Sequence, residues 1–265
     1  MNVPSTSMNN NNFVIFKRNT IKIGEMYFNE KPFPEILPVD LVRFVGVLHP
    51  SNESGWKKSD TLIIDLTKSE EVLLKEMDSG TRYEIRRAID KDSLIHKIIS
   101  TSEKTNIDIF CDYYDEFAQS KSLPSIFRHR LYALALNKNL LLSSISNSEG
   151  IILVQHAHLL TKERAMLLYS SSKYRDTVDK ATRSLVGRAN RLLHWKDMLF
   201  AKENQIRMYD MCGVDITNKN QETTKIAQFK LGFGGTIISC FSLTKSSSIK
   251  GLFVTKILRL TGRSI

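Results

Sequence analysis

The spacing of apolar residues changes several times along this chain, and each change marks a different kind of element. Up to residue 66 the pattern is one of short runs broken by prolines, four of the six lying between Phe28 and Ser51, which predicts short strands and turns. "TLIIDL" (61–66) predicts a short apolar strand. Two helix starts follow it. Thr67 with Glu70, and Thr81 with Glu84, have the capping-box spacing in which hydroxyl and carboxylate satisfy each other's orphan backbone donors, with Ser79-Gly80 between the helices. "IDIFCDYYDEFAQ" and "PSIFRHRLYALAL" then carry apolar residues at helical spacing: Ile109, Phe110, Tyr113 and Phe117 in the first, Ile126, Leu131 and Leu134 in the second. From 140 the period shortens. "LLLSSIS", "GIILVQHAHLL" and "RAMLLYSSS" alternate or run apolar, separated by 147–150 and 161–164, and predict a three-strand antiparallel meander. A long amphipathic helix from about Leu185 to Lys202 puts Leu185, Ala189, Leu192 and Leu199 on one face and Arg188, Arg191 and His194 off it. The strand "IRMYD", a glycine-rich stretch ending in "QFKLGFGG", and a last strand "GGTIISCFSL" complete the order. Strand-helix-helix, strands, helix, strand, helix, strand predicts an α/β (α+β) chain around one mixed sheet. No internal repeat is visible.

This pattern divides the chain into a floppy leader (1–12), a small β-rich N-terminal lobe (13–66), the main domain (67–247) and a basic amphipathic tail (248–265). At 265 residues, 42% apolar and 25% charged, it is of ordinary globular composition and large enough for a proper core. The leader lacks the basic start and apolar centre of a signal peptide, and no apolar run approaches the ~18 residues of a spanning helix. Cys111, Cys212 and Cys240 are odd in number and far apart, which points to a reducing, cytoplasmic setting without a disulfide framework or zinc site. A formal charge of +10 favours anionic partners.

Three groups of side chains stand out chemically. Arg82 and Arg86 lie four apart on a predicted helix, with Tyr83 four before Arg87; such forks suit phosphate or carboxylate, or form a solvated face paired with Glu84 and Asp90. His156 and His158 lie two apart on a strand and so share a face, either as a general base for an amine or as satisfied core histidines. A metal pair is the weakest option there, because no third ligand stands at helpful spacing. In the tail, Ile249, Phe253, Ile257 and Leu260 fall on one side and cations on the other, a pattern that docks on the chain's own domain or rests peripherally on an anionic membrane.

Three segments together resemble the Fem-type branch of the GNAT acyltransferase superfamily: "LIIDLTKSEEVLLKEMDSGTRYEIRRAID", "YSSSKYRDTVDKATRSLVGRANRLLHWKDMLFAKENQIRMYDMCG" and "FKLGFGG". Their order and spacing cover most of residues 61–240. The best-known relatives build peptidoglycan cross-bridges from aminoacyl-tRNA and have two GNAT-like halves. The stretch before Thr67 is too short for a second full half and no helical arm is visible, so the resemblance implies the single-domain form. That form is an N-acyltransferase acting on a sugar-nucleotide or lipid-linked amine in cell-surface polysaccharide synthesis, with acyl-CoA as co-substrate and no metal. It further implies that Ser184, Gly187 and Ala189 correspond to the pyrophosphate loop, with Arg183 and Arg188 supplying charge at a helix start. Asp210 would hold or deprotonate the acceptor amine beside Tyr209. Phe229 and Lys230 would return to the same rim, Lys230 pairing with an acceptor phosphate or carboxylate, and Arg82, Tyr83 and Arg86 would bind the acceptor's anionic part. Two alternatives remain: a transferase using charged tRNA on a peptidoglycan precursor, and a non-catalytic basic protein binding nucleic acid or membrane.

Overall fold

The computed structural model describes residues 12–28, 38–172, 179–215 and 221–261, with the side chains of 222 and 258–261 outside the description. The expected leader up to residue 11, Pro32, Pro34, Arg263 and the side chains of Arg259 and Leu260 therefore lie outside the described residues.

Ten strands form one sheet: β1 (Phe13–Arg18), β2 (Ile21–Tyr27), β3 (Leu41–Val47), β4 (Lys57–Asp65), β5 (Ile95–Ile99), β6 (Leu140–Ser146), β7 (Ile152–Leu160), β8 (Arg164–Ser172), β9 (Met208–Gly213) and β10 (Thr236–Ser246). Their order across the sheet is β1-β2-β3-β10-β4-β9-β8-β7-β6-β5. All neighbours are antiparallel except β2–β3 and β8–β9. The strands of residues 13–66 continue this sheet, since β3 pairs with β10 and β4 lies between β10 and β9.

Among the described residues, six helices cover the two faces. Against one face pack α1 (Glu70–Glu76), α2 (Ser79–Asp90), α5 (Lys180–Glu203) and α6 (Gln221–Leu231), through Leu73, Ile85, Val186, Leu193, Met198 and Ala227. Against the other pack α3 (Lys104–Ser120) and α4 (Arg128–Leu136), through Ile107, Phe110, Leu131 and Leu134. The last helix, α7 (Ile249–Thr261), follows β10.

Both predicted helix starts after β4 are present, but other residues cap them. The Ser69 hydroxyl accepts from the Val72 amide at the head of α1, and Asp78 accepts from the Thr81 amide at the head of α2. Thr67 turns instead toward Asp65, donating to its Oδ1 from amide and hydroxyl. Ser79 and Gly80 are the first turn of α2 rather than a spacer. The glycines of "LGFGG" answer to the chain's own backbone: at Gly234 (φ +78°) a Cβ would come within 2.8 Å of the Glu76 carbonyl oxygen, and at Gly235 (φ +90°) within 2.5 Å of that of Ile63. Only glycine lets the turn into β10 approach α1 and β4 this closely.

Candidate active site at a split between parallel strands

The parallel strands β8 and β9 pair over three residues only, Arg164, Ala165 and Met166 against Met208, Tyr209 and Asp210. Past that point both strands become irregular. On β8, Leu167 faces His158 and Tyr169 faces Ala157, so Leu168 is an extra residue that breaks the ladder with β7. On β9, Asp210 faces Ile63 and Gly213 faces Thr61, so Met211 and Cys212 together oppose the single Leu62. Cys212 adopts φ +57°, a left-handed conformation rare for a non-glycine residue and one that recurs at functional sites. Leu168, Tyr169 and Cys212 are half-buried, so the split is open at its mouth and lined by backbone out of register.

Asp210 and Lys230 meet at Cys212. The Cys212 amide donates to Asp210 Oδ1 at 2.8 Å, and the Thr61 hydroxyl donates to the same oxygen. Arg164 Nη1 lies 3.4 Å from Oδ2. From the other side Lys230 Nζ donates to the carbonyls of Cys212 (3.3 Å) and Gly213 (2.8 Å). Burial pushes the Asp210 carboxyl up, against the Thr61 hydroxyl, the Arg164 guanidinium and the Cys212 amide, which pull it down; burial also lowers Lys230. Asp210 is 2% exposed, so it holds the bulge and touches no solvent. Burial pushes the Cys212 thiol far up, which leaves a poor nucleophile.

His156 and His158 share a face as the strand period requires, and that face is sealed under α5. Asp197, on α5, accepts from His156 Nδ1 at 2.8 Å, and His156 Nε2 stands 3.0 Å from Asn190 Oδ1. His158 Nδ1 lies 3.9 Å from the same Asp197 oxygen. Tyr209 OH sits between His158 Nε2 (2.9 Å) and His194 Nδ1 (2.8 Å). A phenol has one proton, so it donates to one ring and accepts from the other. A bare His158 Nδ1 facing a carboxylate would be repelled, so that nitrogen carries the proton, Tyr209 donates to His158 Nε2, and His194 donates to Tyr209. Burial lowers His158 to about 4 and takes His194 well below its ordinary value, which keeps both rings neutral. His156, His158 and Asp197 also form a group whose donor atoms lie within 4.8 Å of one another. The 2.8 Å contact is a hydrogen-bond distance, and no reaction step is assigned to a metal there.

The remaining expected residues divide differently. On α2, Arg82 Nη1 donates to the carbonyls of Lys75 (3.1 Å) and Met77, closing the end of α1, while Tyr83 and Arg86 are exposed. This corrects the reading of Arg82 as an anion fork, because its guanidinium already serves a helix terminus. At α5, Asp179 caps the first turn, accepting from the Thr182 amide and hydroxyl at 2.8 Å. Arg183 and Ser184 are exposed in that turn and the next. Gly187, Arg188 and Ala189 lie inside the helix, where backbone amides are already used, so they form no amide cradle. Arg188 is paired with Asp92, Nη2 donating at 3.0 Å, and Ala189 is buried. A Cβ on Gly187 would meet nothing nearer than Arg191 Nη1 at 3.8 Å, so close packing does not explain that glycine. Phe229 stacks between Arg191 and His194, at 4.9 and 5.7 Å. His194, expected off the packed face of α5, is buried beneath it.

Several residues of the site carry no local signature. Glu25 is fully buried and accepts from Arg43 (2.7 Å), Arg130 (2.7 Å) and Tyr27. Arg164 is 2% exposed and stacks 4.2 Å over Phe28. Asp197 could have been found: Ala189, Leu193, Asp197 and Ala201 recur every four residues, so this acid interrupts an apolar stripe.

No protein-family model matches the chain, and no curated protein matches it in sequence. Among solved structures it is similar to FemX, at TM-score 0.61 and 11% identity over 94% of this chain and 85% of FemX. It is similar also to a C-terminal domain described as that of a lysylphosphatidylglycerol synthetase from Agrobacterium fabrum (0.51, 12%, 82% of this chain and 72% of that one). L-PGS from Bacillus licheniformis is comparable (0.52, 12%, 84% and 74%). At such identities the likeness is one of fold. The mixed ten-stranded sheet with its two covered faces is thus the fold that FemX has.

Proposed function

We propose that the protein is an N-acyltransferase that moves an acyl group from acyl-CoA to the amine of a sugar nucleotide or lipid-linked saccharide, with the reacting carbonyl in the split between β8 and β9. One observation carries the reading: two parallel strands that part after three pairs, each bulged at the same level, at Leu168 and Cys212. The Cys212 amide is already held by Asp210, so this reading takes its amides from the β8 side of the gap, where fixed N–H groups would stabilise charge that develops on a carbonyl oxygen. The neutral amine attacks the thioester carbonyl, a C–N bond forms, the C–S bond breaks, and the proton lost by nitrogen leaves with the thiolate or to water. Asp210, His156 and His158 are sealed from solvent and touch no substrate. Asp210 and Lys230 act as positioning residues, fixing Cys212 from its two sides, and proton removal falls to solvent or the acceptor itself.

A second reading takes aminoacyl-tRNA as donor. It is favoured by the Asp179 carboxylate, which occupies the first turn of α5 and repels a diphosphate, and by the fold shared with FemX. Label transfer separates the two. With acyl-labelled CoA and an amino-sugar nucleotide, product is expected whether or not ribonuclease is present. Product from charged tRNA alone, abolished by ribonuclease, establishes the second donor. If neither donor yields product nor raises the melting temperature, acyl transfer is wrong.

A further inference from the structure

Helix α7 is pinned by one edge and exposes apolar side chains along the other. Ser248 Oγ donates to Asp40 Oδ1 at 2.7 Å and accepts from the Gly251 amide at 3.1 Å. Gly251 is buried so closely on the Asp40 carbonyl that a Cβ would lie 2.0 Å from its oxygen, and Lys250 Nζ donates to the Thr20 carbonyl. These contacts fix the rotation of the helix about its axis. Its opposite side then presents Ile249 (76% exposed), Leu252 (50%), Phe253 (64%) and Ile257 (58%). Other exposed large apolar side chains are scattered over the described residues, one or two to an element, whereas here four fall within nine positions at helical spacing. The surround is cationic. Lys256 is exposed within the stripe itself, three positions after Phe253 and four after Leu252, Lys250 is exposed at the pinned edge, and Lys17 and Arg18 are exposed at the end of β1 beside Thr20. After Glu222 the chain has seven basic residues and no acidic one.

We propose that α7 seats the protein on an anionic lipid surface, with the apolar stripe in the acyl boundary and the lysines among the headgroups. An apolar face with a lysine in its stripe and further cations along one edge complements a negatively charged bilayer. A second copy of the same face would bring like charges together, which disfavours self-association. No described helix is long and apolar enough to cross a membrane, so the contact is peripheral. The inference goes beyond the acyl-transfer reading and does not depend on it, because its readout is binding alone.

Co-sedimentation of the full chain with vesicles of phosphatidylglycerol and phosphatidylcholine is the test, with phosphatidylcholine vesicles as control. Binding is expected to the anionic vesicles and to weaken with salt. Phe253→Glu is expected to abolish it, and Lys256→Ala to weaken it about fivefold, the worth of one cation near such a surface. Both positions are exposed, so both variants should melt like the parent; Lys256→Glu serves if Phe253→Glu does not. Equal binding to both vesicle types, or no loss in a folded Phe253→Glu variant, overturns the proposal. So does a concentration-dependent dimer that the same substitution dissolves, which would make the stripe a self-interface.

Discussion

Two regions on either side of Tyr209-Asp210 use the same chemical vocabulary to opposite ends. On the α5 side, His156–Asp197 and His158–Tyr209–His194 form two hydrogen-bonded groups in contact, and every residue of both is buried. At the split, Leu168, Tyr169 and Cys212 are half-buried, the ladders are broken, and Asp210 and Lys230 hold the Cys212 backbone from its two sides. The first region contains the side chains that most resemble catalytic groups. The second contains almost none, and it is where the proposed reading seats the substrate. Titratable residues therefore mark structure here, and irregular backbone marks the candidate site.

The strongest way to break this comparison is at Asp197. Removing one member of a buried, hydrogen-bonded charged network typically costs about 3–5 kcal/mol, because its partners are left unpaired in a dry interior. Asp197→Ala is expected to lose that much, read by chemical denaturation, while any protein that remains folded keeps its affinity for donor. A variant of parental stability but without turnover would reverse the roles assigned to the two regions.

A milder perturbation of the same network is acid. His158 titrates near 4 when folded, against an ordinary value of 6.5, and His194 also lies well below it, in both cases chiefly through burial. The unfolded chain thus binds protons that the folded one refuses, so stability is fully present above pH 6.5 and falls as pH drops from there toward 4. Each ring contributes a slope of about 1.4 kcal/mol per pH unit. Denaturation midpoints at pH 7 and pH 5.5 should therefore differ, and His158→Asn should flatten the difference. Identical midpoints in the parent protein would show that the rings are not held neutral.

The sequence rendered these two regions unequally. The meander β6–β8 and the long helix α5 were legible because their apolar residues keep one period for many positions, and the shared face of His156 and His158 followed from the strand period itself. Which face it was, and that it was sealed, depended on Asp197 and His194 from a helix some forty residues on. The caps of α1 and α2 fell to Ser69 and Asp78 because several capping residues stand in succession and only packing chooses among them. The edge strand β5 was invisible, being short and half-exposed. A splayed sheet was implied by the family resemblance, but the residues did not give its place: the bulges fall at Leu168 and Cys212, neither of which is glycine, asparagine or proline, so no turn signal announces them.

The gentlest perturbation separates positioning from stability at the split itself. Lys230 spans α6 and the end of β9, donating to two carbonyls that are near enough to water to be rehydrated when it is removed. Two such bonds contribute about 1 kcal/mol net between partly exposed groups, so Lys230→Ala should shift stability by no more than that. Turnover should respond more strongly, because Cys212 keeps its left-handed conformation only while Asp210 grips its amide and Lys230 its carbonyl. Loosening one grip shifts the backbone that lines the reacting carbonyl in the proposed reading, and misplacement by about 1 Å can cost ~100-fold in rate. The expected signature is a fall in kcat with KM for the donor little changed, since in the proposed reading Lys230 acts through the backbone and touches no substrate, so that only the fit to the transition state is lost. A variant with parental kcat would mean that the β9 bulge is set by Asp210 and the sheet alone. A rise in KM without a fall in kcat would mean that Lys230 binds the substrate directly.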